Sequence, residues 1–305
     1  MLRALFIGLS ENKPLRHFAE SSAMGRKMSS RFAAGLEVKD AVDASRRVNA
    51  MGATVSVDNL GENVTNAAEA RESAQLYHDL LDEIQKDHLK ANISLKLTHM
   101  GLDVDPKLCH DLVSELVAHA VANDSFVRID MEGSPYTQKT LDFVHELHRI
   151  PGHAGHVGAV IQSYMRRSEA DVEKLLAERI RIRLCKGAYK EPADIAFQAK
   201  SEVDANYVKL AKILMKSGVY HGIATHDEKI IEELKKFAKD ENIAPSSFEF
   251  QMLYGIRPGL QQDLIKQGWG LRVYVPFGTE WYPYFMRRLA ERPANAIFIL
   301  KNLFR

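Results

Sequence analysis

The sequence predicts an α/β protein in which eight strands alternate with eight helices and close into a barrel. Three observations predict this. Short β-branched and apolar runs recur along the chain, with longer stretches of helical periodicity between them. Their strict alternation argues for parallel βαβ units. Eight such units in about 250 residues match a closed (β/α)8 barrel, with an open doubly wound sheet as the alternative. No Pro/Gly/Ser-rich linker interrupts the pattern, so residues 1–305 read as a single domain.

The elements follow in order. Leu15–Met24, Gly25–Ala34 and Lys39–Ala50 have helical spacing, so residues 1–50 read as a helical extension packed on the barrel. Thr54–Val57 is the first strand and Thr65–Lys86 the first long helix. Asn92–Leu97, Phe126–Met131, Val157–Gln162 and Ile180–Cys185 are the next strands. Pro106–Ala122, a stretch ending near His148, and Glu169–Ala177 are the helices between them. Ala193–Ser217, Asp227–Lys239 and Gly259–Lys266 are helices that separate Gly222–Thr225, Phe248–Met252 and Leu271–Val275. A last helix starts near Tyr282.

Composition sets bounds on function. The chain is 46% apolar and 27% charged, ordinary for a soluble globular protein. A net charge of +1 gives no electrostatic reason to expect a nucleic-acid partner. Cys109 and Cys185 are far apart and lack metal-type spacing, which suits a reducing, cytoplasmic setting. No apolar run approaches the roughly 20 residues of a membrane-spanning helix. The apolar start is short and has no basic leader, so it is not read as a signal peptide. The apolar end, Ala296–Arg305, reads as a helix on the body, or as a peripheral contact with the inner face of the cell membrane. His153 and His156 read as solvated loop residues. There is no Gly-x-Gly-x-x-Gly after a strand and no phosphate-binding Gly-Lys-Ser/Thr loop.

A barrel places its site at the C-terminal ends of its strands. The residues there are Asp58, Lys96, Asp130, Gln162, Arg183 with Lys186, Thr225 with His226, Gln251 and Tyr274. Strand ends turn polar in any fold, but this many charges and amides at one mouth would be costly to bury without a ligand. The final helix adds Tyr284, Arg287, Arg288 and Glu291 at helical spacing. Two adjacent guanidiniums suit a carboxylate or phosphate. The surrounding aromatics (Trp281, Tyr282, Tyr284, Phe285) suggest a buried wall rather than a solvated charge pair. Lys96 and Lys186 also leave open a Schiff-base lyase acting on a small carboxylate, and a simple carboxylate-binding protein is a third reading.

The chain resembles the proline dehydrogenases, in their compact single-function bacterial form. The resemblance rests on Ser94–Thr98, Arg128–Gly133, Val160–Arg166, Arg183–Tyr189, Ala224–His226, Phe248–Gly255 and Tyr274–Asn295, which span most of the chain in the family's order. It implies a distorted (β/α)8 barrel, bound FAD, oxidation of L-proline to Δ1-pyrroline-5-carboxylate in proline catabolism, and a quinone as electron acceptor. It implies that Arg287, Arg288 and Lys96 bind the proline carboxylate. Tyr274, Tyr284 and Leu253 would line the ring, and Glu291 would face the amine or steady the clamp. Asp130 and Arg183 match residues of catalytic importance, with Arg183 near the flavin. Met131, Gln162, Lys186, Gly187, Ala188, Thr225 and His226 match the FAD contacts, and Glu62 matches a gate that pairs with Arg287. Asp130 is expected to orient Lys96 and to balance the positive cluster. Cys185 and Lys190 depart from the pattern: the family usually has a branched aliphatic at the first, and some members have tryptophan at the second.

Overall fold

A computed structural model describes residues 32–61, 63–282 and 284–286. Its eight strands form a closed, all-parallel barrel in sequential order, with β1 paired to β8. The elements are α1 (Val38–Ala50), β1 (Thr54–Asn59), α2 (Ala67–Lys86), β2 (Ala91–Leu95), α3 (Pro106–Ala122), β3 (Val127–Ile129), α4 (Ser134–Arg149) and β4 (Val157–Gln162). They continue as α5 (Ser168–Ala177), β5 (Arg181–Cys185), α6 (Lys200–Lys216), β6 (His221–Ala224), α7 (Glu228–Asp240), β7 (Phe248–Leu253), α8 (Pro258–Lys266) and β8 (Leu271–Phe277).

Local chemistry starts the helices where the sequence says it should. Asn66 accepts from the Ala68 and Glu69 amides at the head of α2, and Asp105 does the same for Lys107 and Leu108 ahead of the proline that opens α3. Apolar strand residues that point outward (Val55, Val57, Ile93, Leu95, Ile182, Phe250, Val273) meet the inner faces of the helices in one core. The alternate residues point into the barrel, and they are unusually polar. Two glycines at inward positions make room for them. A Cβ at Gly158 would lie 2.8 Å from Arg128 Nη1, and one at Gly222 would lie 2.2 Å from the Gln251 amide.

The expectation of eight strands alternating with helices holds. The Ala193–Ser217 helix does not: helical structure begins only at Lys200. Before it, Ile195 and Ala196 turn back onto the Pro192 carbonyl, Phe197 donates to Tyr164 O, and Ala196 bridges Met165. Packing of Ala196 against Tyr164 and Met165 overrides the helical spacing there. The first two N-terminal helical patterns fall almost wholly outside the described residues, whereas the third is α1. His153 is buried, and His156 bonds Ser125 O through Nδ1 at 2.7 Å, so neither is a solvated loop residue.

Candidate active site

Arg183 occupies the centre of the barrel. Its Nε donates to Gln251 Oε1 at 2.6 Å and its Nη2 to Ser56 Oγ at 2.9 Å. Nη1 donates to Asp130 Oδ1 at 2.7 Å and to Ser94 Oγ at 3.0 Å. Ser94 Oγ in turn donates to Asp130 Oδ1 at 2.7 Å. One guanidinium thereby ties residues of β1, β2 and β7 to the carboxylate just beyond β3, and it lies against the Tyr274 ring of β8 at 5.2 Å.

Asp58 is the second hub. It is 1% exposed. Tyr274 Oη reaches its Oδ2 at 2.6 Å, Lys96 Nζ lies 3.4 Å from the same oxygen, and Tyr77 Oη is 3.1 Å from Oδ1. Tyr274 Oη is also 3.1 Å from Asp130 Oδ2. Burial raises the Asp58 carboxyl above its ordinary range; Lys96 opposes this and Asp130 adds to it. Burial also drives the Tyr274 phenol well above its usual value, with Asp130 and Asp58 contributing, so it stays a neutral donor. Lys96 therefore neighbours Asp58, whereas Asp130 bonds Arg183, Ser94 and Tyr274. This corrects the expectation that Asp130 orients Lys96.

The residues matched to FAD lie together on one arc. Met131 follows β3, Gln162 ends β4, Lys186, Gly187 and Ala188 follow β5, and Thr225 and His226 follow β6. Gln162 Nε2 donates to Glu132 O at 2.9 Å, and His226 Nε2 accepts the Leu253 amide at 2.9 Å. The Lys186 ammonium sits 2.5 Å from Asp204 and 3.2 Å from Asp227. The residues matched to substrate lie on the other arc: Lys96 after β2, Leu253 ending β7, Tyr274 in β8, and Tyr284 beyond it. Tyr284 is buried with Trp281, Phe285, Phe32 and Leu60, so the aromatic wall read from sequence is present. Glu62, Arg287, Arg288 and Glu291 lie outside the described residues.

Sequence reading missed Ser56, Ser94 and Tyr77. A signal existed for the serines: Ser56 and Ser94 sit two residues before the strand-end charges Asp58 and Lys96 and so share their faces of the strands. None existed for Tyr77, which reaches the barrel from α2 and also meets Ser94 O at 2.8 Å.

A closed parallel barrel with a buried cluster of charges at the C-terminal ends of its strands defines a (β/α)8-barrel enzyme. The sequence profile of a family described as proline dehydrogenase matches residues 41–301. Proline dehydrogenase 1 of Bacillus subtilis (strain 168) is 40% identical over 306 residues, covering 100% of both chains. The proline dehydrogenase of Deinococcus radiodurans is 37% identical over 284 residues, covering 91% of this chain and 90% of that one. Among solved structures, proline utilization A from Bdellovibrio bacteriovorus, inactivated by N-propargylglycine, superposes with a TM-score of 0.83 at 26% identity. That match covers 95% of this chain and 36% of the longer one. The chain belongs to the proline dehydrogenase family.

Proposed function

We propose that the chain oxidises L-proline to Δ1-pyrroline-5-carboxylate with bound FAD and passes the electrons to a quinone. Proline oxidation in proline catabolism follows from family membership over the full chain. FAD, the quinone and the role of each residue are the proposed part.

The Arg183 donor set suits a flavin. Among the described residues four of its five N–H groups have acceptors, which leaves one on Nη2 for a ligand. Among the described residues the barrel interior also carries five cations (Lys96, Arg128, Arg181, Arg183, Arg272) against three carboxylates (Asp58, Asp130, Glu249), an excess that favours anionic occupants. When bound, FAD would accept the hydride from the ring carbon beside the proline nitrogen. Arg183 would steady the negative charge that develops on that side, held in place by Asp130, Ser56, Ser94 and Gln251. Lys96 with Arg287 and Arg288 would grip the carboxylate, and Tyr274, Tyr284 and Leu253 would press the ring into one pose. Glu291 would face the amine or steady the clamp, and Glu62 would pair with Arg287 as a gate. The C-terminal residues 296–305 would supply a peripheral membrane contact that brings the site to a membrane quinone. Among the described residues no helix is long and apolar enough to cross a membrane.

The observation that carries this reading is the Arg183 hub between the two arcs. The Schiff-base alternative fits less well. A nucleophilic lysine must be free to reach a carbonyl, and Lys186 is engaged by two carboxylates, Asp204 at 2.5 Å and Asp227 at 3.2 Å. The test is anaerobic titration of the purified yellow protein with L-proline. Bleaching of the flavin band supports the proposal, and a protein that takes up no FAD sinks it. Arg288→Met should raise the KM for proline by about tenfold to a hundredfold, the scale of losing a charged hydrogen bond. FAD content should stay unchanged; loss of FAD instead would overturn the clamp assignment.

A further inference from the structure

Leu253 ends β7 at the mouth, and side chains hold its backbone where the β6 side of the sheet stops doing so. The β6–β7 ladder closes at Ala224 and Gln251, with Thr225 N reaching Gln251 O at 3.1 Å. Beyond that point the Leu253 amide donates to His226 Nε2 at 2.9 Å. On the other side Leu253 pairs in register with Tyr274 of β8, and Tyr254 N donates to Tyr274 O at 2.9 Å. The chain then turns. Ile256 N returns to Leu253 O at 3.2 Å, and Gly255 takes a φ of +70°. Arg257 Nη1 ties the end of the turn to His226 O at 2.8 Å. The Gln261 amide closes the turn from α8: its Nε2 donates to Leu253 O at 3.0 Å and to Ile256 O at 2.9 Å. The two N–H groups of one nitrogen thus serve two carbonyls of the same turn, which neither a carboxylate nor a hydroxyl could do. Gln261 is 7% exposed, so water has little access to replace it.

The two ends of this turn belong to different walls of the proposed proline pocket. Leu253 is proposed to line the ring beside Tyr274. Ile256 packs against the aromatic cluster that contains Tyr284, the third residue proposed to line it. We infer that Gln261 is a positioning residue that sets the ring size the site accepts: its amide fixes the Leu253 wall relative to the Tyr284 wall. It acts through the backbone of Leu253 and Ile256. Without the amide, the turn is left with the longer bond from Ile256 N to Leu253 O, and both carbonyls lose a buried donor. The Leu253 wall can then retreat to admit a larger ring. The inference rests on the proposed roles of Leu253 and Tyr284 and adds the reason the pocket would discriminate by size.

The test uses the holoenzyme and two ring carboxylates without the oxidisable amine, cyclopentanecarboxylate and cyclohexanecarboxylate, as competitive inhibitors of L-proline oxidation. The wild type should bind the five-membered ring more tightly by about tenfold or more, the scale of one methylene in a fitted apolar pocket. Gln261→Met has similar length and no donor. It should shrink that preference by about threefold or more and raise the KM for L-proline by about tenfold, with FAD content unchanged and kcat falling less than KM rises. Gln261→Asn keeps both N–H groups on a side chain one methylene shorter and should shift the preference the same way; it decides the matter if Gln261→Met does not fold. A merely structural role would lower the amount of folded enzyme without altering the ratio of the two inhibition constants. A ratio that stays at its wild-type value in the variants would therefore overturn the inference, as would a wild type that does not distinguish the two rings. Wild-type protein whose flavin is not bleached by L-proline would overturn the proposed function instead, so the two failures are distinguishable.

Discussion

Arg183 and Arg272 both project into the barrel, from neighbouring parts of the same interior, and their partners differ in kind. Arg272 donates to Glu249 at 2.6 Å, to the Val55 carbonyl at 2.7 Å and to Asn92 Oδ1 at 2.7 Å. Arg128, also toward the base, donates to the carbonyls of Ala159 and Arg181 at 2.8 and 2.6 Å. Among the described residues Arg183 bonds only side chains. Backbone carbonyls of a barrel cannot move without moving strands, whereas serine, glutamine and aspartate side chains can turn when a ligand arrives. The base arginines therefore stitch strands together, and the mouth arginine holds a rearrangeable network. The interior is one polar column with a structural end and a chemical end.

The largest effect expected from that contrast comes from removing one arginine at each end. Arg272→Met leaves Glu249 buried without its ion partner and should cost about 3–5 kcal/mol of stability. Turnover per folded molecule should change little. Arg183→Met should instead lower kcat/KM by about a hundredfold to a thousandfold, the usual scale for losing a preorganised donor. Urea denaturation and steady-state kinetics on both variants check the pair. If Arg272→Met lost turnover as severely as Arg183→Met, the division of the column would be wrong.

The two glycines sharpen the same comparison at smaller amplitude. A Cβ at Gly158 would fall 2.2 Å from the Arg181 carbonyl, so the clash is with backbone. Gly158→Ala should destabilise by about 1–3 kcal/mol, as overpacking does. At Gly222 the obstacle is the Gln251 side chain, which can move. Gly222→Ala should cost less stability and more turnover, because Gln251 is the partner of Arg183 Nε at 2.6 Å. Thermal melts and kcat measured together separate the two outcomes.

How much of this was legible in the sequence differs by level. The barrel was, because period-2 apolar runs and period-3.6 stretches alternate without a break. The strand-end charges were also legible, since the fold directs attention to strand termini. Which charge pairs with which was not. Lys96 and Asp130 look like natural partners in the sequence, yet strand stagger brings Lys96 to Asp58 and Asp130 to Arg183. The base layer was invisible for a different reason. Arg128, Arg181, Glu249 and Arg272 lie within strands, where an isolated charge reads as an outward, solvated residue. The false start of α6 at Ala193 has the same origin: its spacing is helical, but contacts with Tyr164 and Met165, nearly 30 residues earlier, decide its path.

The smallest expected effect is a difference in response to pH. At the base, His221 is fully buried. Its Nδ1 accepts the Ile182 amide at 3.0 Å and its Nε2 meets Ser217 Oγ at 2.9 Å. Nδ1 is therefore the unprotonated nitrogen. Burial, with Arg128 and Arg181 nearby, lowers its pKa to about 3. The folded value lies below the ordinary value near 6.5, so its contribution to stability is complete above about pH 6.5 and is lost as pH falls toward 3, at no more than about 1.4 kcal/mol per pH unit. Glu249 reinforces this: burial opposes its ionisation, but Arg272, Gln251 and Tyr220 hold its pKa below the usual carboxylate range. Its contribution is likewise lost in acid. Asp58 at the mouth has the opposite sign. Its raised folded value makes its contribution complete at low pH and lost as pH rises through that value. The base should therefore govern acid unfolding, and Asp58 should oppose it, because above about pH 3.9 its carboxyl ionises in the unfolded chain while the folded one stays protonated up to its raised value. His221→Gln should flatten the decline in stability between about pH 6.5 and 3 by up to one proton's worth of slope, whereas Asp58→Asn should steepen it above about pH 4. Denaturant midpoints measured across that range decide it; an unchanged slope in His221→Gln would move the acid sensitivity away from the base of the barrel.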